Sequence, residues 1–497
     1  MLKEYFYLRR SVVLAGTKSK LSKHSENKWV ILALLALAQF MVVLDIAIVN
    51  VALPSINTEL DFAPGALQWV ITAYTLTFGG FLLLGGRAAD LFGRRKLFIG
   101  AVIAFAVASL LCGLAQSDTV LIITRALQGL AAAFMSPVAL SIVLAEFTEG
   151  KDRNKALGVW AAVAAGGAAA GVLLGGILTQ YLDWRWNFFV NVPVGILVAI
   201  AATRLLPHHI GEEKRKVDLD LPGTVLATSG LMSLVYGLSR APALGWNSLT
   251  VWGFIAAGIA LLISFIWNER RAKQPLMPLD LFKIGNVLGG NLAFLVIACT
   301  LFSMFFFVTL YMQTVLGYSP VKAGLSFLPV TIVIGITSGI VSNLVGKIGY
   351  KPPLVAGPLV LSIGLFILSS TMEVGGNYWH NVFPGLATCA LGMGLTFVSG
   401  TLAATSGVPK HFSGLASGVL NTAQQVGGAI GLAILSAVAF STVKSELFAQ
   451  TAPLVAQVNG YRSGLHVGIG LALAAVIVVL LVVKNEKVDA KKAMTQG

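Results

Sequence analysis

Fourteen runs in this 497-residue chain are apolar over roughly the 20 residues that a helix needs to cross hydrocarbon. They fall near 29–54, 67–86, 97–116, 119–146, 156–180, 187–206, 221–239, 249–268, 286–313, 322–347, 352–371, 380–403, 416–443 and 464–484. Such a chain must place most of its surface in lipid. Its composition agrees, with 56% hydrophobic and only 11% charged residues, against about a quarter charged in a soluble domain. A soluble enzyme, a disordered protein and a nucleic-acid binder are thereby excluded. The sequence predicts an all-α integral membrane protein with 14 transmembrane helices.

The net charge of +14 then needs a membrane explanation. With a cytoplasmic N-terminus, 29 of the 35 Lys and Arg residues fall in cytoplasmic tails and loops, and only Arg185, Arg240, Lys322, Lys444 and Arg462 fall outside. Short cytoplasmic loops carry this bias. It implies a multi-pass protein of the plasma (inner) membrane with both termini cytoplasmic. The polar stretch before the first run is too long for a signal-peptide n-region, so the first span is expected to be retained. Cys112, Cys299 and Cys389 stand alone in apolar runs, and His208 and His209 share a polar loop; no disulfide or metal site is expected.

The longest hydrophilic interruptions between early and late spans, 207–220 and 269–285, bracket spans seven and eight. The expected organisation is a tail (1–28), a six-helix bundle (29–206), a central linker carrying two extra transmembrane helices (207–285), a second six-helix bundle (286–484) and a tail (485–497). Two six-helix halves around a midplane site are the pattern of rocking secondary transporters.

A charge inside a span is expensive, so each one that persists is a functional candidate. Asp45 interrupts span one in FMVVLDIAIVNVALP, and Arg125 interrupts span four in LIITRALQGLAAA. At about 1.5 Å rise per residue, the two sit at similar depths below the outer face. Asp45 is expected to take and release a proton beside Arg125, which stays charged; the alternative is a purely structural ion pair. Glu146 falls at a helix end, where water satisfies it. The loop GRAADLFGRRK sets Asp90 and the basic run Arg94, Arg95, Lys96 around a turn that Gly86 and Gly93 permit. In span five Gly167, Gly171 and Gly175 share one helix face, where small residues allow close approach of another helix. Asn421, Gln424 and Gln425 in span thirteen either line a cavity or bond neighbouring helices.

Together these residues resemble the major facilitator superfamily, and within it the fourteen-span drug/proton antiporter branch, over nearly the whole chain. GRAADLFGRRK matches the loop signature G-x-x-x-D-x-x-G-R-R/K at Gly86, Asp90, Gly93, Arg94 and Arg95. LIITRALQGLAAA is similar to the span-four signature, with Arg125, Gln128 and Gly129; LDIAIVNVALP is similar to the branch's first span, with Asp45, Asn50 and Pro54. DWRWNFFVNVPVG, from Asp183, is typical of that branch. The antiporter motif G-x8-G-x3-G-P-x2-G-G finds its glycines at Gly158, Gly167, Gly171, Gly175 and Gly176, but Val172 replaces the proline, which implies a straighter helix. The second-half loop departs further, with Gly346 and Tyr350 where an acid and a base are expected.

The resemblance implies two six-helix bundles plus a central pair, and export of amphipathic drugs in exchange for protons by alternating access. It assigns proton coupling to Asp45 and Arg125 and a cytoplasmic gate to Gly86, Asp90, Gly93, Arg94 and Arg95; Asn50, Gln128, Asn421, Gln424 and Gln425 are the candidates for a substrate cavity. No catalytic residue, cofactor or metal is expected, because the proton gradient supplies the drive; the partners are the lipid bilayer, an amphipathic small molecule and protons. A monomer suffices for this scheme. The alternatives are export of one metabolite, antibiotic or lipid-like molecule, uptake by proton symport, and a membrane-embedded enzyme.

Overall fold

A computed structural model describes residues 28–63, 66–147, 151–206, 220–405, 407–408 and 413–485, with only the backbone course described at Asp90, Leu91, 413–414 and parts of 151–165. Residues 1–27 and 486–497, with His208 and His209, lie outside the described residues. In lipid every backbone N–H and C=O must be satisfied within its own segment, so apolar runs of this length become helices. They are α1 (Lys28–Leu60), α2 (Trp69–Phe92), α3 (Arg94–Gly113), α4 (Asp118–Glu146), α5 (Lys151–Tyr181), α6 (Trp186–Leu205) and α7 (Leu221–Leu244). There follow α8 (Leu249–Arg271), α9 (Val287–Val315), α10 (Pro320–Ile348), α11 (Lys351–Thr371), α12 (Tyr378–Thr405), α13 (Ser413–Phe448) and α14 (Pro453–Val482). Thirteen of these are long and apolar enough to span a bilayer by composition, and α5 matches them in length at 31 residues. No strand occurs among the described residues.

Several boundaries differ from the expected ones by five residues or more, two of them at prolines. The first span does not stop at Pro54: α1 carries that proline inside it and continues to Leu60, a placement transmembrane helices tolerate. The last span begins at Pro453, where a proline suits the first helical turn, eleven residues before the expected start. Arg462, expected in an outer loop, is therefore inside α14, where its guanidinium donates to the Met372 carbonyl.

Two large apolar cores organise the helices. One joins α1, α2, α3, α4 and α6 around Leu35, Phe98, Phe105 and Met135. The other joins α9 to α14 around Phe307, Tyr311, Leu365 and Leu435, and reaches the far end of α1 at Ile48. On the seam between α2 and α13, Leu231 and Val235 of α7 meet Leu76, Val426 and Ala429. α8 packs on α7, with Gly230 and Gly258 bringing the two backbones together. Its other faces expose Ile259 and Ile263, as lipid contact requires.

The two ends of the molecule differ. One, the basic end, carries Lys28, Arg94, Arg95, Lys96, Arg270, Arg271, Lys347 and Lys351. At the opposite end α5 and α10 are sealed: a Cβ on Gly176 would sit 2.7 Å from the Pro320 carbonyl oxygen, and one on Gly324 2.6 Å from that of Val172. Gln313 also donates to the Val51 carbonyl at 2.8 Å, and the Val321 N–H to Gln180 Oε1 at 3.2 Å. Toward the basic end these contacts stop. There α10 buries only the stripe Thr337, Val341 and Val345, and Gly158, Gly166, Gly335, Gly339 and Gly346 face open space. Between α5 and α10 the two halves are thus sealed at one end and part toward the basic end, where α2 and α13 still meet at Leu83 and Gly418.

Candidate functional site: a sealed carboxylate cluster

Close helix packing builds the site. A Cβ on Gly129 would lie 2.2 Å from the Tyr74 carbonyl oxygen, and one on Gly85 2.1 Å from that of Ala133. Only glycine lets α2 and α4 lie this near each other, and Thr77 stitches them by donating to the Ala126 carbonyl at 2.8 Å. This approach brings the Val70 carbonyl within 2.9 Å of Arg125 Nε. Ser117 fixes the start of α4 by accepting from the Val120 N–H at 3.3 Å, an ordinary N-cap.

Arg125 then reaches across to α1. Its Nη1 donates to Asp45 Oδ2 at 2.5 Å and to Gln128 Oε1 at 2.7 Å. Asp45 Oδ1 accepts from Gln128 Nε2 at 2.7 Å and from Asn191 Nδ2, on α6, at 2.9 Å. Ser109 of α3 accepts from both amides at 3.1 Å and its hydroxyl donates to the Phe188 carbonyl at 2.9 Å. Every group aimed at the carboxylate is a donor. The Tyr74 ring lies 4.3 Å from the guanidinium carbon, a cation–π contact, and its hydroxyl has no hydrogen-bond partner. Asp45 is 0% and Arg125 1% exposed, so the charges are cut off from water.

The sequence-derived candidates divide accordingly. Asp45 and Arg125 meet, and Gln128 joins them, fully buried; it does not line a cavity as expected. Asn191 and Ser109 escaped the sequence reading, although Asn191 lies in the DWRWNFFVNVPVG segment already singled out. The start of that segment has another use: Trp184 Nε1 donates to Glu59 Oε2 at 2.6 Å and Arg185 pairs with the same carboxylate, tying the end of α1 to the α5–α6 turn. Asn50 is half-buried and bonds its own helix at the Ile46 carbonyl. Gln425 is buried against α2, where a Cβ on Gly79 would lie 2.9 Å from its own. On α13, Gly427 and Gly431 face α9, while Gly418 and Gln425 face α2. At 3.6 residues per turn, Asn421 and Gln424 fall on a face between these two; Asn421 is exposed and Gln424 half-exposed.

The glycine stripe of α5 is a packing device. A Cβ on Gly171 would meet Ala47 Cβ at 2.7 Å, and one on Gly175 the Ile48 carbonyl oxygen at 2.7 Å, so α5 lies directly on α1 behind Asp45. With Val172 in place of proline, α5 runs unbroken. In the GRAADLFGRRK loop, Gly93 takes φ +84° between α2 and α3, a conformation that favours glycine. Gly86 faces open space. Arg95 donates to the Thr203 carbonyl at 2.5 Å and Arg94 approaches that of Ser141 at 3.4 Å, both within the first bundle. The side chain of Asp90 lies outside the described residues.

Two helical bundles that meet through α5 and α10 at one end and part between them toward the other, with a buried ion pair inside the first, are the architecture of a membrane transporter. The family model for the Major Facilitator Superfamily matches residues 35–432, and the chain belongs to that family. It is 40% identical over 91% of its length, and 90% of the relative's, to the puromycin resistance protein pur8 of Streptomyces alboniger. It is also 40% identical to the cephamycin export protein CmcT of Amycolatopsis lactamdurans, over 85% of this chain and 87% of that one. Among solved structures, the POT family transporter PepTSo superposes with a TM-score of 0.64 at 17% identity, covering 95% of this chain and 99% of that one.

Proposed function

We propose that this protein exports amphipathic antibiotics or drugs across the plasma membrane in exchange for protons. The basic end is cytoplasmic on this reading, as the charge bias of short loops requires. The state described above then faces inward. Substrate enters between α5 and α10 from the cytoplasm or inner leaflet and meets a mostly apolar wall with Asn50, Asn421 and Gln424 as its polar points. A relative named for puromycin resistance and another named for cephamycin export support the export of antibiotics.

The observation that carries the reading is Asp45, clasped by three side-chain donors and sealed while the cavity faces the cytoplasm. A proton arriving at Asp45 from outside removes the negative charge that holds Arg125 and one of the acceptor sites that hold Gln128 and Asn191. α1, carrying Asp45, also carries the Val51 carbonyl and Ile48 at the sealed end. Loosening the cluster therefore acts on a helix that forms the outer seal. Membrane potential adds about 2.3 kcal/mol per charge per 100 mV. Arg94 and Arg95 belong to a gate that engages when the cytoplasmic side closes.

Inverted vesicles test the scheme. A cationic dye accumulates under an inward-acidic gradient, and Asp45→Asn abolishes that accumulation while the protein still inserts. Gradient-independent accumulation rules out antiport. Accumulation that is unchanged in Asp45→Asn removes this carboxylate from coupling.

A further inference from the structure

Asp45 is not the only buried acid. Asp220, just before α7, is 5% exposed, and Glu269, near the end of α8, is 3% exposed. The two carboxyls converge on Gly223, where a Cβ would lie 2.5 Å from Asp220 Oδ2 and 2.8 Å from Glu269 Oε1, so the two oxygens are neighbours. Asp220 adopts φ +43° to make this turn. Its Oδ1 accepts from the Gly223 N–H at 3.1 Å and Asn268 Nδ2 at 2.9 Å, and its Oδ2 from the Leu276 N–H at 3.2 Å. Glu269 Oε2 accepts from the Met277 N–H at 2.7 Å, whereas Glu269 Oε1 receives no N–H or hydroxyl donor.

Two carboxyl oxygens form a hydrogen bond only when one of them carries a proton. Two facing carboxylates without it would repel each other in a site closed to water. Burial opposes the charge on Asp220, but the bonds from Glu269, Asn268, Gly223 and Leu276 outweigh it and hold that carboxyl below its usual range. The unbonded Oε1 of Glu269 is thus where a proton fits.

We propose that Asp220 and Glu269 form a second proton-binding site, which holds one proton between them and so clasps the 272–286 segment onto the central helix pair. That segment is a strap across the basic end. Arg87 of α2 donates to the carbonyls of Gln274 and Pro275, and Met277, Phe282 and Ile284 pack with Leu83 of α2 and Ala416 and Val419 of α13. The strap therefore touches the central pair and both bundles where the halves meet. Other described charges nearby are already engaged or exposed: Arg271 stacks on Trp267 at 3.7 Å, Lys283 pairs with Asp280 at 2.7 Å, and Arg270 and Lys273 are exposed. Loss of the shared proton loosens the strap, which gives the cytoplasmic side a pH response independent of Asp45.

Difference infrared spectroscopy on the purified Asp45→Asn protein reads the site without transport. At neutral pH ordinary carboxyls are ionised, and a protonated-carboxyl C=O band is expected to persist. Both Glu269→Gln and Asp220→Asn, added singly, should remove that band. Its absence from the parent, or its survival in either variant, overturns the shared proton. A second readout follows the strap. The three native cysteines are buried, so a Leu276→Cys reporter labels against a low background. In the parent its labelling should rise severalfold at alkaline pH relative to the same reporter carrying Glu269→Gln, whose amide replaces the protonated acid. Identical pH profiles in the two overturn the clasp.

Discussion

Asp45 Oδ2 lies 2.5 Å from Arg125 Nη1 inside the first bundle, and both side chains are buried there. On the proposed export cycle, substrate and proton therefore make no direct contact in this state. Coupling in that cycle passes through helix position, and α1 carries both Asp45 and, at Ile48 and Val51, part of the sealed end.

The pair is asymmetric toward substitution. Asp45→Asn keeps an acceptor at Oδ1 but leaves Arg125 without its counter-charge, and removing one member of a buried pair costs about 3–5 kcal/mol. Arg125→Lys loses the Nε bond to Val70 and the fork that serves Asp45 and Gln128 together. Both variants are expected to lose proton-driven dye transport by more than about tenfold, the equivalent of 1.4 kcal/mol. Full rescue of Arg125 by lysine would show that charge alone, and not geometry, is what the site needs.

Asn191 is the subtler member. A hydrogen bond to a charged group contributes about 1.5–3 kcal/mol, so Asn191→Leu should slow coupled transport roughly tenfold or more without abolishing it. Asn191→Gln, one methylene longer, does not restore the 2.9 Å contact to Asp45. The measurement is initial dye flux at a fixed gradient; a rate in Asn191→Leu equal to the parent's would make this amide a packing residue.

How much of this was readable beforehand follows from the cost of each group in lipid. A full charge inside an apolar run is so expensive that Asp45 and Arg125 stood out at once. Neutral amides and hydroxyls are cheap there, and Ser109 and Asn191 resembled many others whose partners are on the same helix, as Asn50 and Asn421 prove to be. Glu269 was hidden for the opposite reason: it adjoins Arg270 and Arg271 and read as part of a solvated loop, while the fold turns it inward. Glycine spacing was visible, but which neighbour each glycine meets depends on the tertiary arrangement. Pro54 read as a stop because proline ends helices in water, whereas here it lies within a longer helix.

The packing glycines separate cleanly by what lies opposite them. Gly129→Ala drives a methyl to 2.2 Å from the Tyr74 carbonyl, whereas Gly158→Ala meets nothing within 4 Å. Overpacking of this kind costs about 1–3 kcal/mol. Gly129→Ala should lower the melting temperature of the purified protein by several degrees and weaken transport, while Gly158→Ala leaves both near the parent values. Equal melting temperatures for the two would mean that α2 and α4 are farther apart than these contacts place them.

Gly176 tests the direction of opening. Its missing side chain lets α5 seal against Pro320 and Val321 at the end opposite the basic one. Gly176→Leu should wedge that seal and shift the population toward the outward-open form, at the expense of the form described here. Gln313, which bridges to the Val51 carbonyl in the sealed form, is the reporter. As Gln313→Cys it should react several times faster with a membrane-impermeant thiol reagent added from outside when Gly176→Leu is also present. Faster reaction from the cytoplasmic side instead would reverse the assignment of the two ends, and with it the inward-facing reading on which the export cycle begins.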